Sequence, residues 1–231
     1  MRLFIAVPLP PELTDRAAAL LPLNLPAVRR VQPELMHITL AFLGWTPDAQ
    51  LDAAGDAARA AAAGHRAFEL AFGAAGRFPV SGRPRVVWLG VAAGAGALTA
   101  LAGSVAEQLR GRQLAFDDRP FSPHLTLARV RQEATRPEAR TVAAAVDALG
   151  VPDLRTWVDR IAVVESILSP KGPRYTAREE LPLAAGEPGG RFRAYSQPEW
   201  GNAVAEVPVD NSDRHTRDSD VRGGRPQMGS T

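Results

Sequence analysis

The sequence predicts an α+β fold of two related lobes, on three observations. Strand-like apolar runs and amphipathic helices are mixed without the strict alternation of a doubly wound parallel sheet. An apolar strand carrying His-x-Thr-Leu occurs once in each half, at His37-Ile-Thr39-Leu and at His124-Leu-Thr126-Leu. Each copy is followed within about a dozen residues by a Pro-initiated helix, the mark of a duplicated unit.

The elements follow in order. Residues 3–7 read as an apolar first strand, and Pro10-Pro11-Glu12 opens a helix because Pro is tolerated in a first turn. Residues 36–43 form a β-branched and apolar run ended by Gly44, hence a strand. Thr46-Pro47-Asp48 starts an Ala-rich helix that runs to residue 63, where Gly64 stops it. Residues 67–73 and 85–91 are strands joined by a loop holding Pro79, Gly82 and Pro84. A helix over 98–109 stops at Gly111, and 121–130 is a strand. Residues 137–149 are a helix ended by Gly150, 157–165 a single strand, Gly172-Pro173 a turn, and 175–180 a last strand. From residue 187 the chain becomes polar, punctuated by Gly and Pro, with no sustained period. The expected organisation is a domain over 1–186 and a disordered tail over 187–231, where Arg222-Gly-Gly-Arg225 reads as solvated rather than as an RNA contact.

Composition narrows the class. The 231 residues are 45% hydrophobic and 23% charged, ordinary globular usage. The absence of cysteine excludes disulfides and thiolate-ligated metals and suits a reducing, cytoplasmic setting. No apolar run approaches the roughly 20 residues of a membrane helix, and the N-terminus lacks a signal-peptide pattern. The formal net charge of +2 is no nucleic-acid signature. All 27 basic side chains except Lys171 are Arg, whose planar guanidinium suits phosphate.

The repeated motif carries chemistry. Side chains alternate faces along a strand, so His37 and Thr39 point one way and Ile38 and Leu40 the other. The same holds for His124 and Thr126 against Leu125 and Leu127. Same-face neighbours stand roughly 7 Å apart, about the span of one phosphate with its contacts. Two such strands side by side would surround one concavity with two imidazoles and two hydroxyls. With an ordinary pKa of about 6.5, one imidazole can act as base while the other acts as acid. Threonine hydroxyls can donate to the non-bridging oxygens as charge develops. A lone strand histidine usually reads as structural; two in the same local pattern point to metal-independent chemistry on a phosphate ester. Arg129 lies at an odd offset from His124, so strict alternation puts it on the opposite face unless a strand end or bulge turns it back.

Other candidates are weaker. His65, beside the helix stop at Gly64, reads as a surface residue, and Asp117-Asp118 as a turn pair. Gly94-Ala-Gly96 resembles the start of a dinucleotide fingerprint but has Thr99 where the third Gly belongs. No pair of histidines has zinc-motif spacing, and no acidic cluster offers a magnesium site.

The paired motifs resemble those of the 2H phosphoesterases. Pro33-Glu-Leu-Met-His-Ile-Thr-Leu-Ala-Phe-Leu-Gly44 and Arg119-Pro-Phe-Ser-Pro-His-Leu-Thr-Leu-Ala-Arg129 are similar to the RNA 2',3'-cyclic phosphodiesterase branch, also called 2'-5' RNA ligase-like. So are Met1-Arg-Leu-Phe-Ile-Ala6, Pro84-Arg-Val-Val-Trp-Leu-Gly90 and Glu165-Ser-Ile-Leu-Ser-Pro-Lys-Gly-Pro-Arg-Tyr175. The resemblance implies two antiparallel sheets flanked by helices around a central cleft. It implies hydrolysis of a terminal 2',3'-cyclic phosphate to a 2'-phosphate without metal or nucleotide cofactor, and a reversible 2'-5' ligation as a side activity. It casts His37 as proton donor to the leaving oxygen and His124 as the acceptor that activates water. Thr39, Thr126 and Arg129 would hold the phosphate, and Phe121 would stand near the nucleotide or in the core. Trp45 departs from the acidic or small polar residue common after the Phe-Leu-Gly stop, which implies altered packing rather than lost activity. The expected partner is an RNA end bearing the cyclic phosphate, met by a monomer away from membranes. Two alternatives stay open: a small cyclic nucleotide such as an ADP-ribose cyclic phosphate as substrate, and a non-catalytic RNA-binding module.

Overall fold

The computed structural model describes residues 1–170 and 172–186. The chain opens with β1 (Arg2–Pro8) and α1 (Pro11–Ala18), then β2 (Val28–Arg30), β3 (His37–Trp45) and α2 (Leu51–Ala63). The hairpin of β4 (Phe68–Phe78) and β5 (Val86–Ala93) leads to α3 (Ala95–Gly111) and β6 (His124–Val130). Next come α4 (Arg136–Asp147), β7 (Arg155–Val158), β8 (Arg160–Ser169) and β9 (Gly172–Pro182). The strands build two antiparallel sheets, in the orders β3-β1-β8-β9 and β2-β6-β5-β4-β7. This is the expected α+β architecture. The two halves trade strands: β4 follows the first motif but joins the second sheet, and β8 follows the second motif but returns beside β1.

Apolar alternation sets the register. Ile38, Leu125 and Leu127 are at most 1% exposed, and Leu40 is buried with them in the main core. Each such side chain contributes about 1.5–3 kcal/mol by leaving water. A one-residue slip would expose them and bury His and Thr, so the polar face of each motif is fixed outward. The Ala-rich α2 packs closely on α3 and on β8 and β9, its Ala54, Ala57, Ala58 and Ala61 all buried. α3 touches β3 of one sheet and β5 of the other, so one core cluster runs through both lobes. A smaller cluster of Phe4, Ala6, Ala162 and Val164 lies on the opposite face of the first sheet, with Phe42 and Tyr175 packed on it.

Several expected boundaries are corrected. The stretch expected as one strand over 157–165 is two, because the chain leaves one sheet and enters the other at Asp159, where Arg160 pairs with Asp159 at 2.9 Å. Gly172 and Pro173, expected in a turn, pair within β9 with Ser169 and Leu168. β6 starts at His124 rather than 121, since Pro120 and Pro123 have no N–H to give a ladder. β2 has no apolar period in its sequence; its existence depends on pairing with β6. Gly94 owes its identity to geometry: it caps α3 at φ +82°, and a Cβ there would collide with the Glu69 carbonyl oxygen. His65 is half-buried, its Nε2 2.8 Å from Ser104 Oγ, tying the end of α2 to α3. Asp117 and Asp118 pair with Arg119 and Arg110, in keeping with a turn role. Among the described residues no helix is long and apolar enough to cross a membrane. The 187–231 stretch lies outside the described residues.

Candidate active site

β3 and β6, from different sheets, approach each other with a motif histidine as the first residue of each. Cross-strand partners in an antiparallel ladder share a face. Along β1, Arg2, Phe4, Ala6 and Pro8 alternate onto one face, and their partners are Trp45, Phe42, Thr39 and His37. Two register irregularities, which leave Leu40 and Leu43 without partners, keep those four residues of β3 together. On the second sheet, Val86, Trp88 and Gly90 of β5 share a face, opposite Arg129, Thr126 and His124. The single irregularity there falls at Leu127. This bulge resolves the odd offset: it reverses the phase of β6 and returns Arg129 to the face of His124 and Thr126. The two motifs bulge at equivalent positions, Leu40 and Leu127, so Phe42 in one lobe corresponds to Arg129 in the other.

The imidazoles are held alike. His37 Nδ1 lies 2.8 Å from the Leu35 carbonyl oxygen and His124 Nδ1 lies 2.7 Å from that of Ser122, each two residues back. A carbonyl oxygen only accepts, so Nδ1 carries the proton in both rings and Nε2 has the lone pair when the ring is neutral. Aromatic rings fix the orientation. His37 stacks on Phe4 at 4.7 Å and meets Tyr175 edge-on at 5.4 Å. His124 meets Phe78 edge-on at 5.3 Å, with Trp88 at 6.3 Å. Gly76 opposite Trp88 is required for that arrangement, since a Cβ would overlap the indole ring.

Burial is the largest influence on His37 and lowers its pKa to about 4; the hydrogen bond to Leu35 opposes this, and the charges of Arg129 and His124 add to it. Arg129 and His124 therefore face His37 across the cleft. Burial pushes the Tyr175 phenol up, against the charges of Arg129 and Arg2. The Arg2 guanidinium sits 5.0 Å over the Phe42 ring. Trp45, opposite Arg2, is 77% exposed. Phe121 packs against the main core, the second of its two expected settings.

The structure thus brings His37, Thr39, His124, Thr126 and Arg129 to one cleft. Sequence reasoning gave no role to Phe4, Tyr175, Phe78, Trp88 and Arg2, which surround them. All five lie on strands other than β3 and β6, so no spacing along the chain announces them. Among the described residues no group of three or more His, Asp or Glu is placed to hold a metal ion.

Three comparisons bear on the cleft. The model of the 2'-5' RNA ligase superfamily matches residues 9–168. A protein of Archaeoglobus fulgidus named RNA 2',3'-cyclic phosphodiesterase is 36% identical over 180 residues, covering 76% of this chain and 96% of that protein. Among solved structures, a Thermus thermophilus protein is 28% identical with a TM-score of 0.67, covering 81% of this chain and all of that one. Escherichia coli LigT complexed with 3'-AMP is 28% identical with a TM-score of 0.62, covering 79% and 97%.

Proposed function

The chain belongs to the 2'-5' RNA ligase superfamily, and from that premise we propose that it hydrolyses RNA ends carrying a 2',3'-cyclic phosphate to 2'-phosphates. The observation that carries the reading is the matched pair of histidines. Each donates through Nδ1 to a carbonyl two residues back, and each shares its strand face with a threonine. The name and coverage of the Archaeoglobus fulgidus relative support the reaction, and a neighbour crystallised with 3'-AMP supports a substrate of nucleotide chemistry.

In the proposed reaction the cyclic phosphate sits between the motifs. His124 Nε2 takes a proton from water as its oxygen attacks phosphorus. The P–O3' bond breaks, and His37 delivers a proton through Nε2 to the departing 3'-oxygen, leaving a 2'-phosphate. Thr39, Thr126 and Arg129 donate to the non-bridging oxygens. His37 is neutral in the empty site above about pH 4. A phosphodiester anion at about 4 Å is worth about 4 kcal/mol at an effective dielectric of 20, close to three pH units. The substrate itself therefore loads the acid. A 5'-hydroxyl in place of water would give the 2'-5' ligation. We place the enzyme in the cytoplasm as a monomer that needs no metal.

The test is incubation of the purified protein, in chelator, with a short RNA ending in a 2',3'-cyclic phosphate. A 2'-phosphate product is expected, with kcat lowered at least about 100-fold in both His37→Ala and His124→Ala, the usual worth of acid–base catalysis. Activity lost to chelator and restored by metal would sink the two-histidine mechanism. Turnover of small cyclic nucleotides but not RNA would move the substrate class, and RNA binding without turnover would make the protein a binding module.

A further inference from the structure

Arg29, on the short strand β2, lies directly opposite Arg129 in the β2–β6 ladder. The flanking pairs, Val28 with Val130 and Arg30 with Ala128, turn to the other face, where Val130 and Ala128 are buried in the core. Arg30 is accounted for on that side. Its guanidinium donates to the carbonyls of Ala18 at 2.9 Å, Leu21 at 2.7 Å and Pro22. Arg29 therefore shares the cleft face with Arg129, and through Arg129 with Thr126 and His124. Neither Arg29 nor Arg129 meets a carboxylate among the described residues. Like charges directly opposite in a ladder destabilise it. A three-residue strand with no apolar period is a poor place to tolerate that cost, unless bound anions neutralise the pair.

We propose that Arg29 binds a second phosphate of the substrate, the backbone phosphodiester next to the terminal cyclic phosphate that Arg129 and the two motifs hold. Adjacent strands lie about 4.8 Å apart. Arg29 is thus displaced by one strand from the reacting phosphate, toward the rim of the second sheet. A guanidinium there is placed to take a neighbouring phosphate of the same RNA chain while Arg129 holds the reacting one. The pair makes the site selective for oligonucleotide ends over mononucleotides. This rests on the function proposed above and adds the substrate length that it favours.

The test compares wild type, Arg29→Gln and Arg29→Lys on two substrates. One is a short RNA ending in a 2',3'-cyclic phosphate. The other is a nucleoside 2',3'-cyclic phosphate with a free 5'-hydroxyl, which has no second phosphate. On the RNA, Arg29→Gln is expected to lower kcat/KM about tenfold through KM, the worth of one charge-assisted hydrogen bond. On the nucleoside its kinetics should stay within about twofold of wild type, and Arg29→Lys should recover part of the loss, since Lys serves as a point charge. In parallel, anisotropy measures binding of a labelled RNA with a terminal 2'-phosphate at several salt concentrations. The logarithmic salt slope of Arg29→Gln should be shallower by about 0.7, one single-strand phosphate contact. Equal losses on both substrates, or no loss on either with an unchanged slope, would overturn the assignment. If wild type hydrolyses neither substrate, the function reading fails, and the binding arm still decides the role of Arg29.

Discussion

The same three-residue motif supports two unlike imidazoles. His37 packs against a stacked Phe4 and an edge-on Tyr175, and desolvation there holds its pKa near 4. His124 stands beside Phe78 and Trp88 at the start of a strand reached through two prolines. A nuclear magnetic resonance titration of the empty protein should place the His37 midpoint near pH 4, and saturation with 2'-AMP should move it up by about three pH units. A midpoint near 6.5 that 2'-AMP leaves in place would remove the substrate-loaded acid. The sign for stability follows from linkage. The unfolded chain takes the proton at about pH 6.5 and the folded one only at about 4, so His37 lowers stability as pH falls through that window, by about 3 kcal/mol at most. At this scale His37, Thr39, His124 and Thr126 were legible in the sequence, because alternation along a strand is local. Their aromatic neighbours were not, because a cross-strand contact depends on register between segments distant in the chain.

At the scale of the element, the bulges decide what the site contains. Strict alternation would put Arg129 with Leu125 in the core; the irregularity at Leu127 puts it with His124 instead. The equivalent irregularity at Leu40 leaves Phe42 on the cleft face. Leu-Ala after each Thr carries no mark of a bulge in its sequence, since both residues suit a buried strand. Helix ends are held locally. α4 begins in a capping box: the Thr135 side chain accepts from the Glu138 N–H at 3.4 Å, and the Glu138 carboxylate accepts from the Thr135 N–H at 2.7 Å. Thr135→Ala is expected to cost about 1 kcal/mol, seen as a Tm lower by a few degrees with kcat unchanged. An unchanged Tm would show that α4 is held by its packing alone.

Across the whole molecule, the exchange of β4 and β8 between sheets means that neither half of the sequence builds a lobe by itself. The described chain also closes on itself near its end: the Leu183 N–H donates to Asp159 at 2.8 Å, the Ala184 N–H donates to His65 at 2.8 Å, and the Ala184 carbonyl accepts from Ala67 at 2.9 Å. A chain ending at residue 186 is therefore expected to fold with the Tm of the full chain, in one transition measured by calorimetry. A large fall in Tm would show that residues beyond 186 contribute to the fold. The sequence by itself determined the α+β class, the two motif strands and the four side chains they present, because period and repetition are local properties of the chain. Only the tertiary structure decided that the lobes trade strands and that Arg129 lies on the cleft face beside Arg29. It also decided that one histidine is half-buried against aromatic rings. Each of these depends on which distant strands pair and in what register, and the hydrophobic pattern fixes that only once both sheets have closed around the core.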